Sequence, residues 1–236
     1  DLDNLCRWSA DWKLRLNPSK CFAFTMTLRT SPVTQAYSMD GSVLDRVSEI
    51  RDLGVILDSK LNFSAHISHT VAKANRALGV LIRSFQTTVP HQKFSKQTLL
   101  ATYFANIRSI LEYGCVIWGG VAKTHLERLE RVQHKFLLWM AHRSNNVTVR
   151  SLTYEQLLRA FKLPTVKSRC LQYDLMFLRN VYCGRVDSPY LLNCFPLHIP
   201  MRTTRRLVLF AEPYARVNSV KSGLFNRLPV AMNCFI

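Results

Sequence analysis

The side chains best suited to chemistry in this sequence are cations, and most of them lie after residue 62. The 236-residue chain carries 32 Lys and Arg against 15 Asp and Glu, a formal net charge of +17. Residues 1–62 hold eight of each sign, residues 63–143 hold 11 cations and three acids, and residues 144–236 hold 13 and four. This surplus predicts binding to a polyanion, either nucleic acid or an acidic membrane surface.

Three of the cations share one face of a predicted helix. Apolar residues recur at steps of three and four over positions 67–85, which predicts an amphipathic helix beginning near Ser64. At 100° per residue, Lys73, Arg76 and Arg83 fall within about a quarter-turn of one another. Their side chains could lie along a phosphate backbone, although any solvated helix face would show a similar charged stripe.

A separate cation, Lys20, ends the turn Asn17-Pro18-Ser19-Lys20. Asn-Pro initiates turns readily, so the simplest interpretation is a hairpin turn with a solvated lysine. A functional role for Lys20 depends on what the rest of the chain resembles.

The residue types that usually ligate metals are dispersed. The nine Asp include no Asp-Asp pair, and the seven Cys include no C-x-x-C pair. A zinc set of Cys170, Cys183, Cys194 and His198 fits no usual spacing, which favours buried structural thiols. We therefore expect no metal site in this chain. Scattered cysteines also predict reduced thiols, and hence a nuclear or cytoplasmic protein.

The elements that must position these residues predict an α+β fold that is mostly α. Within residues 1–62 we expect a helix whose Trp8 and Trp12 pack on a sheet. We also expect strands over KLRLN and CFAFTMTL, a hairpin turn at Asp40-Gly41, and a strand over 50–57. Later segments predict helices over 64–85, about 90–111, 123–141, about 153–160 and about 165–183. Beyond residue 184, prolines punctuate a region that we expect to be irregular and basic.

Composition also limits the class of protein. A hydrophobic content of 48% argues against a disordered tail. No apolar run approaches 18 residues and no signal peptide is recognisable, so we expect no membrane span. Binding to a membrane surface is less favoured than binding to nucleic acid, because the cations are not gathered on one helix with an aromatic face.

Four stretches, in this order, resemble the downstream part of a non-LTR (LINE-type, Jockey-like) retrotransposon reverse transcriptase. They are LDNLCRWSADWKLRLNPSKCFAF, IRDLGVILDSKLNFSAHI, ILEYGCVIWG and LERLERVQHKFL. LPTVKSRCLQYDLMFLRNVYCGRVDSPYLL and LFNRLP are similar to the region that follows the thumb in these elements. The resemblance covers nearly the whole chain. It implies the end of an antiparallel palm over 1–62, a helical thumb over 63–143 and a post-thumb region over 144–236.

The resemblance implies roles for particular residues. Lys20 matches a lysine near the incoming triphosphate, which is thought to protonate the departing pyrophosphate as a general acid. Asp52, Leu53 and Gly54 lie in a match to the primer grip, a hairpin that presses the primer 3′ end toward the active site. The cations of the helix beginning near Ser64 would contact an RNA–DNA hybrid. A second candidate contact, for template RNA, consists of Arg202, Arg205 and Arg206.

The resemblance also implies partners that lie outside this chain. These are an RNA template, an RNA–DNA hybrid, and the upstream palm, fingers and endonuclease parts of a longer polyprotein. The parent enzymes work with Mg²⁺ held by aspartates of a Tyr/Phe-Ala-Asp-Asp turn, which this sequence lacks. We therefore expect a C-terminal fragment that is inactive alone and has no cofactor, whereas the complete parent enzyme uses Mg²⁺.

Two other functions stay open at this point. A truncated element product retained as a stand-alone basic nucleic-acid-binding protein would keep the same charge. A basic helical scaffold of a ribonucleoprotein would require the four matching stretches to be a coincidence.

Overall fold

The chain folds as two compact units, Asp1–His66 and Ile67–Ile236. A computed structural model describes residues 1–29, 31–32, 34–87, 94–143, 152–199, 208–215 and 221–234. Across these residues helices outweigh strands, so the predicted α+β, mostly α class is confirmed.

The first unit combines one helix with short strand pairs. Helix α1 spans Leu2–Asp11 and a 3₁₀ turn spans Pro18–Lys20. The strands are β1 Phe22–Phe24, β2 Ser38–Met39, β3 Ser42–Val43, β4 Asp45–Val47, β5 Glu49–Asp52 and β6 Val55–Asp58. β2–β3 and β5–β6 are antiparallel, as predicted, whereas β1 and β4 pair in parallel, with Phe22 opposite Asp45. The expectation of a purely antiparallel β region is therefore wrong for one pair.

The predicted strand over KLRLN does not form. Lys13 has a φ of +54°, a left-handed conformation that ends extended or helical backbone. The Leu14 N–H donates to the Ser9 carbonyl at 2.9 Å, and the Ser9 hydroxyl donates to the Leu14 carbonyl. These reciprocal bonds fold the chain back on the end of α1, so alternation of apolar residues is overridden by a helix cap.

The tryptophans of α1 do not pack on the strands as expected. Trp8 and Trp12 are 49% and 67% exposed, and their rings contact each other with centroids 6.4 Å apart. Ser9 is the buried residue of this helix. The spacing of the tryptophans correctly predicted that they share one face of the helix. The expectation that this face packs on the strands was wrong.

The hairpin turn predicted at Asp40-Gly41 is present between β2 and β3. Asp40 and Gly41 have φ values of +50° and +73°, between the paired residues Met39 and Ser42. Positive φ at both central positions is typical of a type I′ turn, whose twist matches that of the strands it joins. Asp-Gly identified this turn because these two residues tolerate that backbone.

Asp58 organises the connection that follows β6. Its carboxylate accepts N–H bonds from Lys60, Asn62 and Phe63 at 3.0, 3.2 and 2.7 Å. Leu61 and Phe63 both have positive φ, at a cost of about 1–2 kcal/mol each. Charge-assisted bonds to Asp58 offset this cost and give the short connection one defined path.

The second unit consists of helices. Helix α2 spans Ser64–Thr87 and lies almost wholly within it. The next helices are α3 Lys96–Tyr103 and α4 Ser109–Glu112, which are joined by a π-helical segment, Phe104–Arg108. The remaining helices are α5 Cys115–Trp118, α6 Lys123–Arg143, α7 Tyr154–Phe161, α8 Val166–Tyr182, α9 Pro189–Asn193 and α10 Leu224–Asn233. The helices predicted near 64–85, 123–141, 153–160 and 165–183 are confirmed. The predicted helix start at Pro90 lies outside the described residues.

A buried polar network lies at the centre of this unit. The Tyr103 hydroxyl donates to Gln133 Oε1 at 2.8 Å, and Gln133 Nε2 donates to the Tyr154 hydroxyl and the Pro164 carbonyl at 3.1 and 3.0 Å. Tyr103 also stacks on Phe136, with centroids 4.2 Å apart. Burial raises the pKa of Tyr103, so its hydroxyl keeps its proton. The amide of Gln133 is therefore satisfied on both sides and ties α3 and α6 to the segment before α8.

The described residues after 184 include two helices, α9 and α10, and a buried cluster, and are to that extent more ordered than predicted. Leu178, Phe195, Phe210 and Leu228 form a buried cluster that brings α8 and α10 together. The Asn233 amide accepts from the Phe210 N–H and donates to the Phe210 carbonyl, both at 3.0 Å. The prolines correctly marked chain breaks. The expectation of an irregular region was wrong because these apolar residues are too widely spaced to form a periodic pattern.

A buried ion pair joins α10 to α8. Arg227 Nε and Nη2 each lie 2.9 Å from a carboxylate oxygen of Asp174. The same guanidinium donates to the carbonyls of Ser222 and Val116. Burial raises the pKa of Asp174, and the hydrogen bonds from Arg227 oppose that rise. A Cβ on Gly120 would lie 1.8 Å from the Ser222 carbonyl oxygen, so the backbone after α5 packs directly against this junction.

Asp174→Ala tests how far the unit depends on this pair. The change leaves the Arg227 charge buried without its carboxylate, so the free energy of unfolding should fall by about 3–5 kcal/mol. Denaturant unfolding monitored by circular dichroism measures it. Asp187→Ala removes an exposed carboxylate and should change stability by less than about 0.5 kcal/mol. Equal effects of the two substitutions would show that the buried pair is dispensable.

Candidate nucleic-acid interface

Lys20 is presented by a capped 3₁₀ turn. Asn17 Oδ1 accepts from the Ser19 N–H at 3.1 Å and from the Ser19 hydroxyl at 2.6 Å, and Pro18 opens the turn. The side chain of Lys20 is exposed. Because no strand precedes the turn, the interpretation as a plain hairpin turn is wrong. The turn holds Lys20 at one defined position on the surface of the first unit.

The segment matched to the primer grip is a tight hairpin. The single strand predicted over 50–57 is instead split into β5 and β6, with Asp52 paired to Val55 across the turn. Leu53 and Gly54, the two turn residues, have φ values of +44° and +88°. Gly54 adopts this conformation without penalty because it has no Cβ. The predicted strand over 50–57 therefore missed the turn, whereas the match to a hairpin with Asp52, Leu53 and Gly54 at its turn agrees with the backbone.

Leu53 contradicts the usual chemistry of such a turn. The first central position of a type I′ turn favours Asn, Asp or Gly, because positive φ is unfavourable for a residue with a Cβ. Leu53 is also 86% exposed. A large apolar side chain at this position is therefore both conformationally unfavourable and exposed to solvent. Residues that break local rules in this way tend to be retained for contacts with something outside the fold.

Leu53→Asn should therefore stabilise the hairpin. Asparagine adopts positive φ more readily and removes exposed apolar surface, so the free energy of unfolding should rise by about 0.5–1 kcal/mol. Thermal and denaturant unfolding of the full chain measure it. Leu61→Asn changes a second leucine that has positive φ and should stabilise the chain for the same reason. Destabilisation by Leu53→Asn alone would show that contacts of this leucine within the fold outweigh its unfavourable φ.

The three predicted cations of α2 lie on one exposed face of the helix. Lys73, Arg76 and Arg83 are all exposed. The opposite stripe is buried in the core of the second unit and consists of Ile67, Ala74, Leu78 and Leu81. The sequence periodicity therefore placed both faces correctly. Whether the cations bind nucleic acid is not decided by this geometry and stays a prediction.

Helix α6 runs beside α2 in the same direction. Arg128 Nη2 donates to Ser68 Oγ at 3.0 Å, and Lys135 Nζ donates to Asn75 Oδ1 at 3.3 Å. A third bond joins Arg143 Nη1 to the Phe85 carbonyl at 3.4 Å. The residue numbers increase together along both helices, so the helices are parallel. Each of these three bonds uses a cation of α6.

Two of the three acids within residues 63–143 are turned inward. Glu112 contacts Arg108 at 2.6 Å and Arg169 at 3.2 Å, and its side chain is only 7% exposed. Glu130 accepts from the Tyr154 hydroxyl and from the Lys167 N–H. Glu127, with a half-exposed side chain, lies 3.9 Å from Lys123. The surface presented by this region is therefore more positive than its composition suggests.

Sequence reasoning identified α6 as a helix but not its cations as candidates. Arg128 and Lys135 are seven residues apart and therefore share a helix face, which was a detectable signal. Their proximity to α2 was not detectable, because no periodicity in one helix reveals which helix lies beside it. The second predicted contact, at Arg202, Arg205 and Arg206, lies outside the described residues.

The metal and membrane expectations can be compared with the described part of the chain. Within it, no group of three or more His, Cys, Asp or Glu side chains is placed to hold a metal ion. Cys170 of the suggested zinc set instead contacts Cys115 in the interior, where that contact and burial raise the pKa of its thiol. Among the same residues, no helix combines the length and apolar character that crossing a membrane requires. All seven cysteines are free thiols.

Comparison with known proteins confirms the resemblance to non-LTR retrotransposon reverse transcriptases. The chain is 30% identical over 139 residues to the probable RNA-directed DNA polymerase from transposon BS of Drosophila melanogaster. It is 30% identical over 136 residues to the RNA-directed DNA polymerase from mobile element jockey of that species, and 29% identical over 146 residues to that of Drosophila funebris. These alignments cover 57–58% of this chain but only 14–15% of each relative.

The similarity is thus to one part of much longer proteins. No family model and no solved structure matches the chain.

Proposed function

We propose that this chain is a segment of an RNA-directed DNA polymerase of a non-LTR retrotransposon, in which it holds an RNA–DNA hybrid. The observation that carries the proposal is the 26–30% identity to four such polymerases over more than half of the chain. In this proposal residues 1–62 end the palm, residues 63–143 form the thumb, and residues 144–236 follow it. The basic surface of the second unit supports the assignment.

The thumb role depends on contacts to phosphates. A hybrid is recognised through its sugar-phosphate surface and its shape, which cations on a helix can contact without reading bases. Lys73, Arg76 and Arg83 provide such a row on α2. Because Glu112 and Glu130 are engaged by donors within the unit, few carboxylates compete with the phosphates on this surface. Binding of this kind releases counterions and weakens steeply as salt rises.

The primer-grip role is assigned to the β5–β6 hairpin. Its turn presents the exposed side chain of Leu53 on a backbone held by a complete antiparallel pairing. An apolar side chain at this position can pack on the sugar of a primer terminus without forming a charged contact. Gly54 allows a close approach of the backbone to the primer. In this role the unfavourable conformation of Leu53 is retained for the sake of the contact.

Lys20 is assigned to the chemical step. A lysine near the triphosphate would stabilise negative charge that develops on pyrophosphate and would donate a proton to it as a general acid. The capped turn supports this role, because a general acid must be held at a defined distance from its acceptor. Mg²⁺ in the polymerase would be held by carboxylates elsewhere. The described part of this chain offers no group that fits it, and we assign it no metal ligand.

The first unit exposes apolar surface that further parts of the polymerase would cover. Trp8, Trp12, Leu14 and Phe22 are all between 45% and 67% exposed. Large exposed apolar side chains in one small unit indicate a protein contact. In our proposal the upstream palm and fingers of the polyprotein cover this surface, and the template RNA is a further partner.

The α2 face is tested by the triple variant Lys73→Gln, Arg76→Gln, Arg83→Gln. Loss of three phosphate contacts should lower the affinity for an RNA–DNA hybrid by about two orders of magnitude at 0.1 M salt. It should also reduce the slope of log affinity against log salt by about two to three. Fluorescence anisotropy over a salt series measures both quantities.

The control for this test removes three exposed cations from other helices. Arg159→Gln, Lys162→Gln, Arg179→Gln changes the net charge equally without touching α2. Equal losses in the two triple variants would show that only net charge matters. An unchanged slope in the α2 variant would exclude this face as the hybrid-binding surface.

Lys20→Ala is tested in a polymerase that contains this segment together with its catalytic aspartates. The rate of single-nucleotide addition should fall by 10²–10⁴-fold, while the dissociation constant for primer–template changes little. Rapid-quench kinetics at saturating nucleotide separate the two quantities. Lys20→Arg keeps the charge but donates a proton poorly, so it should restore only part of the rate. A normal rate in Lys20→Ala would mean that the lysine is merely solvated.

A further inference from the structure

The parallel register of α2 and α6 places cations at successive levels along the line where the two helices meet. The cross-helix bonds lie at residues 68 and 128, 75 and 135, and 85 and 143. The first two levels are seven residues apart on both helices, and seven residues of α-helix span about 10 Å. The third level follows after ten residues of α2 and eight of α6. We call the surface along these three bonds the α2–α6 seam.

Each level of the seam carries a cation of α6. Arg128 lies at the first level, Lys135 at the second and Arg143 at the third. On α2, Arg76 and Arg83 lie eight residues after Ser68 and Asn75, and therefore about 80° around the helix from them. The long side chains of α6 reach across to polar atoms of α2, so their charges lie over the seam itself.

Small residues of α2 separate these levels. Ala72 lies between the first and second levels, and Gly79 lies between the second and third. Ser68, Ala72 and Arg76 follow one another at intervals of four, as do Asn75, Gly79 and Arg83, so each set forms one ridge of the helix. A Cβ built on Gly79 meets no atom within 4 Å. Packing therefore does not require glycine there, although glycine within a helix costs about 1 kcal/mol relative to alanine.

The seam carries little negative charge. Glu130 points inward to Tyr154 and Lys167, and Glu112 is buried against Arg108 and Arg169. The exposed Glu127 precedes Arg128 by one residue, which places it about 100° away around the helix, toward Lys123. The chemistry offered along the seam is therefore a row of guanidinium and ammonium groups separated by open space.

We propose that one phosphodiester backbone of a nucleic acid lies along the α2–α6 seam, with Arg128, Lys135 and Arg143 of α6 contacting it beside the cations of α2. A line of cations along two adjacent helices matches the line of negative charge that a phosphodiester backbone presents. Ala72 and Gly79 leave room for the sugars between contacted phosphates. This inference rests on the proposed function, and it adds to it the residues of a second helix and the assignment of the seam to a single strand.

The seam is tested by the double variant Arg128→Gln, Lys135→Gln in the full chain. Glutamine can still donate to Ser68 or Asn75, so the fold should persist, and circular dichroism checks that it does. Affinity for an RNA–DNA hybrid should fall by about fifty-fold at 0.1 M salt, and the salt slope should decrease by about two. The matched control, Lys123→Gln, Lys162→Gln, removes the same charge from exposed positions away from the seam and should leave the slope nearly unchanged.

The assignment to one strand is tested separately with hybrids in which a single phosphate is replaced by an uncharged methylphosphonate, one position at a time. Weakened binding should be confined to a short run of phosphates on one strand. Penalties of equal size on both strands would overturn the assignment to the seam. Lys135→Arg keeps the charge and should preserve the pattern, whereas Lys135→Gln should remove the penalty at the phosphate that Lys135 contacts.

The outcomes separate this inference from the proposed function. If the α2 triple variant weakens binding while the α6 double variant does not, the polymerase assignment stands and the seam is wrong. If neither variant changes the affinity or the slope, both the seam and the hybrid-binding role of this unit are wrong. If the α6 variant alone is defective, the seam is correct and the exposed α2 face is not the main contact.

Discussion

Buried and half-buried carboxylates hold the helices of the second unit together, and the basic character of its surface depends on them. Glu112 of α4 accepts from Arg169 of α8, Glu130 of α6 accepts from Tyr154 of α7, and Asp174 of α8 binds Arg227 of α10. Each carboxylate is satisfied by more than one donor, which is the condition under which a buried charge is tolerated. Acids used in this way are removed from the surface, and the cations that remain outside have few competitors.

In this arrangement, the stability of the unit and its proposed binding of nucleic acid depend on different residues. The carboxylates and Arg227 act in the interior, whereas Lys73, Arg76 and Arg83 make no part of the core. Because exposed cations contribute little to folding, they can be replaced with little effect on stability. Binding can therefore be tested with variants that still fold. The β5–β6 turn shows the opposite case, since the conformation of Leu53 reduces the stability of its own hairpin.

Whether a structural feature could be predicted from the sequence depends on how far apart in the chain the interacting residues lie. Helices with a strong apolar period, such as α2 and α6, were predicted with their buried faces. The Asp40-Gly41 turn was predicted because two adjacent residues determine its backbone. The strand over KLRLN was wrong because a contact between Ser9 and Leu14, five residues apart, controls that backbone. The Leu53-Gly54 turn was indicated only by the family resemblance, because leucine is a poor signal for positive φ.

Contacts between distant segments were beyond the sequence pattern. The pairing of Phe210 with Asn233, and the cluster that includes Phe195 and Leu228, involve single residues with no periodic context. The same distinction between local patterns and distant contacts applies to the candidate interface. The α2 row was visible as a stripe on one helix, but the contribution of α6 depends on which helix lies beside it. Family resemblance supplied the roles of Lys20 and the hairpin, which no physical pattern in the sequence indicates.

The parallel orientation of α2 and α6 has an electrostatic consequence for the candidate interface. Two antiparallel helices would present opposite dipole ends side by side, and their fields would largely cancel. Here the N-terminal ends of both helices lie at the same end of the seam, where their dipoles add to the positive potential. At the other end, His142 and Arg143 lie in the last turn of α6 and offset its negative pole. The positive potential is therefore strongest near Arg128 and is maintained by side chains toward Arg143. A phosphate backbone would thus be attracted along the whole seam, although the helix dipoles favour only one of its ends.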